Sequence, residues 1–310
     1  MNLKTKKILV TGGDGFLGKH VLAALKNRGI PDNQIISPKR EECDLRKEKD
    51  CGWIARGADI ILHLAGVTGD AEFHKKEPSR IYFDNLIMGT RLIEAARQAG
   101  AQKFVMIGSA AEYSEEAPLP FREEDLWIGY PEEKHAPYAI AKKLLSIQAR
   151  AYYAQYKFLA IHLIMTNMYG PGESLASNVF IPTLIKKVLE AKKNSSPVIE
   201  MYGNGEATRD FIYVKDAAEA ILLAAEKCES PDSINIASGQ EISVREMTDL
   251  AKKIVNFEGE IKFTSNTGGL SRRVLDITRA RSLLGFEAQT DFETGLRETI
   301  KDFSVRHAPR

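Results

Sequence analysis

The segment that most constrains the fold is KKILVTGGDGFLGKHVLAALKNRG, near the start of the chain. Its apolar run KKILVTG (6–12) predicts a buried strand. The stretch FLGKHVLAALKNRG (16–29) predicts a helix, because apolar residues recur at i, i+4 and i+8 on one face. A strand that passes through a glycine-rich turn into a helix indicates an α/β fold with a parallel sheet.

The same alternation of strand and helix continues through the first half of the chain. Short apolar runs are separated by longer amphipathic stretches, which predicts a parallel sheet with helices on both faces. The further predicted strands cover residues 34–37, 58–66, 103–109 and 158–170. Residues 91–100 form the end of one predicted helix. Another covers 137–156, with Pro137 suited to its first position.

The second half of the chain breaks this alternation. Residues 178–193 predict a helix, and 197–214 predict two strands around an Asn-Gly turn. DAAE (216–219) and SVRE (243–246) each place a capping residue three before a glutamate, which predicts a helix start at each. We expect a ligand at the interface between two domains. These are a large domain over residues 1–166 plus about 213–241, and a smaller α/β domain over about 167–212 plus 242–310.

The turn between the first predicted strand and helix, TGGDGFLG, places Gly12, Gly15 and Gly18 at a GxxGxxG spacing. Glycines allow a tight turn and a close approach of the backbone to a pyrophosphate, whose charge the helix N-terminus attracts. In this context the pattern predicts a dinucleotide bound by a Rossmann-type doubly wound parallel sheet.

The segment IISPKREECDL bears on which dinucleotide is bound. An acid at the end of the second strand suits the ribose hydroxyls of NAD, whereas a basic residue suits the extra phosphate of NADP. Lys39 and Arg40 come at that point, and the first acid is Glu41. The sequence therefore favours NADP(H) over NAD(H), the alternative being that PKRE is a solvated loop. Asp44 has the placement expected of a contact to the adenine.

Tyr138 and Lys142 in YAIAK lie one helical turn apart on one face of the predicted helix. A lysine ammonium at that spacing favours the phenolate, as does the positive nicotinamide of an oxidised cofactor, so Tyr138 becomes usable as an acid or base near neutral pH. Such a pair is ordinary on an isolated surface helix. Downstream of a dinucleotide loop, with Ser109 leaving the neighbouring strand, it predicts a catalytic site.

Composition excludes several classes of function. The 310 residues carry 43 Lys+Arg against 42 Asp+Glu, a net charge of +1, so no basic excess indicates a nucleic acid or membrane surface as partner. The 3 cysteines match no metal-binding spacing, and we expect no metal. Neither a signal peptide nor an apolar run of about 18 residues is visible, so we expect a cytoplasmic protein.

Taken together, these motifs resemble the extended short-chain dehydrogenases/reductases, also called the NAD-dependent epimerase/dehydratase family, which act on nucleotide sugars. The resemblance covers nearly the whole chain and includes HLAG (63–66), GSAAEY (108–113) and TNMYGPG (166–172). TNMYGPG and the block YGNGEATRDFIYVKDAAEAI (202–221) resemble the branch of GDP-fucose synthases and NDP-4-keto-6-deoxysugar reductases.

The resemblance implies roles for individual residues. It implies Ser109, Tyr138 and Lys142 as the catalytic set. With the basic pair added, the predicted cofactor contacts are Gly12, Gly15, Phe16, Leu17, Gly18, Lys39, Arg40, Asp44, Leu45, Ala65, Gly66, Asn85, Tyr138 and Lys142. The implied contacts of a nucleotide-diphosphate sugar are Asn167, Arg209 and Arg273, and in the family the helix 137–156 pairs across a homodimer.

The planar fork of an arginine suits a diphosphate, because it binds two oxygens at once. Arg272 and Arg273 are adjacent, so we expect at most one of them to face the ligand. For Arg209 the alternative is an ion pair between domains, with Asp210 or Asp216.

The loop GSAAEYS (108–114) limits the reaction. Dehydratases of this family carry Asp-Glu or Ser-Glu directly after the residue that matches Ser109, whereas this chain has Ala110 and Ala111, which have no proton to give. GDP-fucose synthases carry a cysteine at the position of Ala111 and a histidine close to Val179, which invert carbons 3 and 5 of the sugar; both are absent here. These departures predict an NADPH-dependent reductase of NDP-4-keto-6-deoxysugars that does not epimerise carbons 3 and 5.

Two other functions stay open at this point. A UDP-hexose 4-epimerase would use the same catalytic set and retain NAD. A non-catalytic dinucleotide-sensing regulator would belong to another class, although such relatives usually lose the tyrosine or the lysine. Around the site we expect Glu112 to point away from the ketone and Tyr113 to pack near cofactor or sugar. We also expect His63 to be a core or loop histidine and His135 to lie in a solvated loop.

Overall fold

The computed structural model describes residues 1–174, 179–264 and 272–306, so the first residue of the helix expected over 178–193 lies outside them. The helices are α1 Phe16–Asn27, α2 Glu48–Ala55, α3 Ala71–Lys76, α4 Pro78–Gln98, α5 Ala136–Tyr156, α6 Phe180–Lys193, α7 Val214–Lys227, α8 Val244–Val255, α9 Thr278–Leu284 and α10 Phe292–Arg306. The strands are β1 Ile8–Thr11, β2 Ile35–Ile36, β3 Ile60–His63, β4 Lys103–Ser109, β5 Leu159–Met165, β6 Asn167–Tyr169, β7 Val198–Met201, β8 Thr208–Tyr213, β9 Ile234–Ile236, β10 Glu241–Ser243, β11 Glu260–Phe263 and β12 Arg272–Arg273. None of the described helices is both long and apolar enough to cross a membrane.

The large sheet has six strands in the order β2-β1-β3-β4-β5-β9, and every pair is parallel. This confirms the predicted α/β fold with a doubly wound parallel sheet. All four residues of β1 and of β3 are buried, as strands covered on both faces require. The chain winds outward in opposite directions from β1 and β3, and in such sheets ligands bind at the carboxyl ends of the strands beside this point.

Two helical layers cover the sheet. On one face α1 and α7 pack against each other, and their apolar residues join Val10 and Ile161 of the strands in one core. On the other face α2, α4 and α5 pack over Leu9, Ile61 and Phe104. The core therefore lies on both sides of a single sheet, and the helices leave the carboxyl ends of its strands to the loops.

A smaller group of strands holds the rest of the chain. β8 is its centre, with β10 antiparallel on one side, and β12 and β6 pairing with β8 in parallel. β7 and β11 form a separate parallel pair. A third core, which includes Leu184, Met247 and Leu296, joins α6, α8 and α10 to these strands. The division of the chain into two domains at the expected residues stays a prediction.

The expected single strand over 158–170 is wrong, because it divides at Thr166. Thr166 N donates to Ile236 O of the large sheet at 3.0 Å, while its Oγ1 donates to Asp210 O at 2.8 Å. The chain thereby passes from β5 into β6 of the smaller sheet, which brings the two sheets together at this residue.

The two strands expected around the Asn-Gly turn are confirmed as β7 and β8. They do not pair with each other, because each finds a partner from a later part of the chain. One further local prediction is wrong. DAAE does not begin a helix: α7 begins at Val214, and the Asp216 carboxylate accepts a hydrogen bond from Thr290 N at 3.0 Å. SVRE is a capping box as predicted, with Ser243 and Glu246 bonded reciprocally.

Candidate active site

The glycine loop is folded tightly onto the first turn of α1. Gly12 has a φ of 75°, and Gly15 N donates to Gly12 O at 3.0 Å. A Cβ on Gly18 would lie 2.1 Å from Gly12 O, so no larger residue fits there without moving the backbone. The glycine spacing therefore allows the helix N-terminus to approach the end of β1.

A cavity of about 500 Å³ opens above this loop. The first turn of α1 has no acidic residue and no side-chain cap, so its N–H groups are left for an anion. These features fit a dinucleotide with its pyrophosphate at the helix N-terminus. Of the predicted cofactor contacts, those that line the cavity are Gly12, Gly15, Lys39, Arg40, Asp44, Leu45, Ala65 and Gly66. The remaining ones, Phe16, Leu17, Gly18, Asn85, Tyr138 and Lys142, do not.

The basic pair stands at the rim of this cavity. Lys39 and Arg40 are exposed, and Lys39 N donates to Glu42 Oε2 at 2.9 Å, which shapes the turn. Asp44 is held by Arg46 through bonds of 2.9 and 3.0 Å, and this contact lowers the pKa of Asp44 to about 2. Arg46 also lines the cavity and was missed in the sequence, because no motif distinguishes it from the surrounding charges.

Asn85 holds the loop that follows β3 through hydrogen bonds of its side chain. Its amide nitrogen donates to Val67 O and to Ile81 O, both at 2.7 Å, and its Oδ1 accepts from Val67 N at 3.0 Å. Asn85 therefore ties α4 to the loop beside the cavity. The expected contact of Asn85 with a cofactor stays a prediction.

The tyrosine–lysine pair lies in the first two turns of α5. Lys142 is 3% exposed, and its Nζ lies 3.4 Å from where a Cβ on Gly66 would stand. Burial lowers the pKa of Lys142 to about 8. Burial also raises the pKa of Tyr138, and the charge of Glu112 raises it further. Burial thus acts against the expected stabilisation of the phenolate by Lys142.

Ser109 ends β4 and caps the 3₁₀ turn Ala110–Glu112. Its Oγ accepts from Ala111 N at 3.2 Å, and its N donates to Glu112 Oε1 at 2.8 Å. Because the Oγ acts here as an acceptor, its own hydrogen can be donated to a ligand oxygen. The loop of alanines is therefore a capped turn that packs on α5.

Two aromatic residues near the turn belong to the core. Tyr113 is 1% exposed, stacks on Phe121 with ring centroids 4.8 Å apart, and donates to Asn235 Oδ1 at 2.8 Å. The expectation that Tyr113 packs near cofactor or sugar is wrong, because these contacts hold the ring inside. His63 is a core histidine as expected: its Nδ1 lies 2.8 Å from Thr11 Oγ1, and burial lowers its pKa to about 3.

The arginines implied in substrate binding lie side by side on β8 and β12, where Arg273 is in register with Arg209. Arg272 pairs instead with Glu241 and is exposed, whereas Arg273 is half-buried. That at most one of the two faces a ligand stays a prediction. Burial lowers the pKa of Arg273, and it lowers the pKa of Arg209 together with the charge of Arg273. Asn167 is exposed on β6, which pairs with β8.

A row of polar groups runs from Tyr138 towards these arginines. The His74 ring lies 5.8 Å from the Tyr138 ring and 5.0 Å from the His135 ring, between centroids. His135 Nδ1 lies 3.1 Å from Glu132 Oε2, which is 3.5 Å from Arg273 Nη2. His135 is half-buried, so its placement in a solvated loop is wrong. His74 and Glu132 were missed, because only the packing of α3 against the turn before α5 brings them here.

A doubly wound sheet with a glycine loop at its switch point, beside a half-buried tyrosine, a buried lysine and a capped serine, defines an extended short-chain dehydrogenase/reductase. A family model described as "NAD dependent epimerase/dehydratase family" matches residues 8–237. The chain belongs to this family and is an enzyme of it.

Individual proteins agree with this assignment. A GDP-L-fucose synthase of Sinorhizobium fredii is 31% identical over 306 residues, which are 97% of this chain and 96% of the relative. The structure of a GDP-L-fucose synthetase of Naegleria fowleri bound to NADP has a TM-score of 0.86 at 25% identity, covering 98% of this chain and 94% of the other. A GDP-mannoheptose C4 reductase of Campylobacter jejuni has a TM-score of 0.88 at 24% identity, covering 98% and 99%, and supports the fold.

Proposed function

We propose that this chain uses NADPH to reduce the 4-keto group of an NDP-4-keto-6-deoxysugar and does not epimerise carbons 3 and 5. One observation carries the proposal: the set Ser109, Tyr138 and Lys142 is intact, while Ser109 is followed by two alanines. These three residues suffice to polarise one carbonyl oxygen and to deliver one proton to it. The alanines have no group that could remove a proton from carbon or donate one to a leaving hydroxyl.

When bound, the reduced nicotinamide supplies a hydride to carbon 4 of the sugar. Ser109 donates its hydroxyl hydrogen to the carbonyl oxygen and so polarises the bond. Tyr138 gives its proton to the same oxygen as negative charge develops there, and its raised pKa keeps that proton available. Lys142 places its Nζ beside Gly66, within reach of the nicotinamide ribose and 6.0 Å from the centroid of the Tyr138 ring.

Three basic residues that line the cavity favour NADP(H): Lys39, Arg40 and Arg46. The nucleotide diphosphate is assigned to Arg209 and Arg273, which present two guanidinium groups on adjacent strands. The relatives named above act on GDP-sugars by their names, so GDP is the first nucleotide to test. We also propose a homodimer formed through α5.

The first experiment is a cofactor and turnover assay on purified protein. Bound nucleotide is released by denaturation and identified, and NADPH absorbance is then followed with 4-keto-6-deoxysugars on GDP, dTDP and UDP. Stoichiometric NADPH oxidation with one of these ketones supports the proposal. Protein that retains NAD and interconverts UDP-hexoses with no net oxidation would establish the 4-epimerase instead.

Two controls sharpen the assay. Tyr138→Phe removes the proton donor and keeps the ring, so kcat is expected to fall by roughly 10²–10⁴-fold while NADPH binding persists. Running the reaction in deuterium oxide and analysing the product by mass spectrometry tests epimerisation. Deuterium on carbon 3 or 5 of the product would show that another residue replaces the missing acid–base pair.

A further inference from the structure

Glu112 is a carboxylate with no exposed surface, three residues after Ser109. Its Oε1 accepts from Ser109 N at 2.8 Å and lies 3.3 Å from His162 Nε2 of β5. His162 is itself 1% exposed, and its Nδ1 lies 3.0 Å from Ser233 Oγ. A charge in such a place is costly unless nearby groups compensate it, so its presence calls for a reason.

Gly108 has no side chain and so leaves room for the Glu112 carboxylate and the His162 imidazole. A Cβ there would stand 2.2 Å from His162 Nε2 and 2.5 Å from Glu112 Oε1, which no ordinary contact allows. The last glycine before the serine is thus needed for the carboxylate and the imidazole to meet beneath the end of β4. The expectation that Glu112 points away from the ketone agrees with this position, yet the residue remains within the electrostatic reach of the site.

Two buried lysines, Lys142 and Lys143, belong to α5, which packs against the turn that holds Glu112. Lys143 is 2% exposed, and its Nζ donates to Glu112 O at 3.4 Å while lying 4.7 Å from the centroid of the Trp127 ring. Lys142, the next residue back on α5, is buried towards the cofactor side. Burial lowers the pKa of both lysines, and the charge of Glu112 raises it.

We propose that Glu112 is a positioning residue for the reduction: its carboxylate fixes the main chain of Ser109, and its charge acts on Tyr138 and Lys142 of α5, the helix on which its turn packs. The part that concerns catalysis rests on the proposed function. The part that concerns Lys142 holds for the protein without substrate and can be measured separately.

Glu112 shifts the pKa of Tyr138 and the pKa of Lys142 in the same direction. Burial is the larger influence on each: it raises the pKa of Tyr138 and lowers that of Lys142. The charge of Glu112 raises the pKa of both. Removing that charge must therefore lower both values and move the alkaline limit of activity to lower pH. Among the residues that the structure describes, the other titratable groups facing these three are His162 on β5, Lys143 on α5, Tyr113 beside the turn, His74 on α3 and His63 on β3.

Glu112→Gln separates the charge from the shape, because the amide oxygen can still accept from Ser109 N. We expect the alkaline limb of kcat to move down by about one pH unit, with KM for NADPH unchanged. Glu123→Gln is the matched control, since Glu123 is also buried and accepts from Asn235 N at 2.8 Å, but in the core away from Tyr138. The control should leave the pH profile in place.

The second measurement needs no turnover. The Cε resonance of Lys142, assigned with Lys142→Arg, is followed by NMR through a pH titration of wild type and Glu112→Gln. A lower midpoint in the variant supports the proposal even if no ketosugar is reduced, and an unchanged midpoint overturns it. Should Glu112→Gln not fold, Glu112→Asp keeps the charge and withdraws it from Ser109 N: kcat should fall about tenfold with the alkaline limb in place, and full activity would overturn the proposal.

Discussion

At the scale of single residues, the choice of cofactor depends on Lys39 and Arg40. Both are exposed, and both line the cavity next to Asp44. A free lysine and arginine at this rim can reach a phosphate on the adenine ribose, whereas the Asp44 carboxylate is already occupied by Arg46. NADH has no such phosphate, so the basic pair should contribute to the binding of NADPH alone.

Replacing the pair by alanine should therefore separate the two cofactors. For Lys39→Ala with Arg40→Ala we expect the Kd of NADPH to rise about 10- to 100-fold, because charge-assisted hydrogen bonds are lost, with the Kd of NADH little changed. Fluorescence titration of reduced cofactor measures both. Lys49→Ala removes an exposed cation outside the cavity and serves as control. Equal weakening of NADPH and NADH would assign these residues to shaping the loop.

Residues whose position follows from local backbone geometry were readable from the sequence. The glycine spacing reflects a strand–turn–helix, and Tyr138 and Lys142 share a helix face. Residues brought in by tertiary packing were not: His74 reaches Tyr138 only because α3 packs beside the turn before α5. For the same reason Tyr113 was misplaced, since its partner Asn235 lies far along the chain.

At the scale of elements, the junction of β1 and α1 gives a sharp test. Gly18→Ala places a methyl 2.1 Å from Gly12 O, a main-chain atom that cannot rotate away. We expect it to destabilise the protein by about 1–3 kcal/mol and to remove dinucleotide binding, because the loop must move from the helix N-terminus. Urea unfolding and cofactor titration measure the two effects.

Gly52 is the matched control for this substitution. It lies inside α2, and a Cβ there would meet nothing within 4 Å. Gly52→Ala should therefore stabilise the protein by about 0.5–1 kcal/mol and leave cofactor binding unchanged. If Gly18→Ala were equally harmless, the close packing of loop and helix would not be needed for binding.

The elements also show where local patterns fail. The buried strands of the large sheet were predicted because continuous apolar runs leave no other arrangement. The smaller sheet was not, because its strands are short and half-exposed, and their partners come from distant segments. Thus the Asn-Gly turn indicated two strands, but not that β8 pairs with β10 and β7 with β11.

At the scale of the whole molecule, the proposed homodimer can be tested through apolar residues that are exposed on α4 and α5. Phe83 is 58% exposed and Ile147 47% exposed, on neighbouring helices of one face. Burying them across a two-fold axis would remove both from water, so Ile147→Glu should convert a dimer into monomers by placing two carboxylates at the contact. Light scattering after size exclusion measures the mass. Val305→Glu, an equally aliphatic site 71% exposed on α10, should leave the dimer intact. A wild-type monomer, or a dimer in both variants, would place any interface elsewhere.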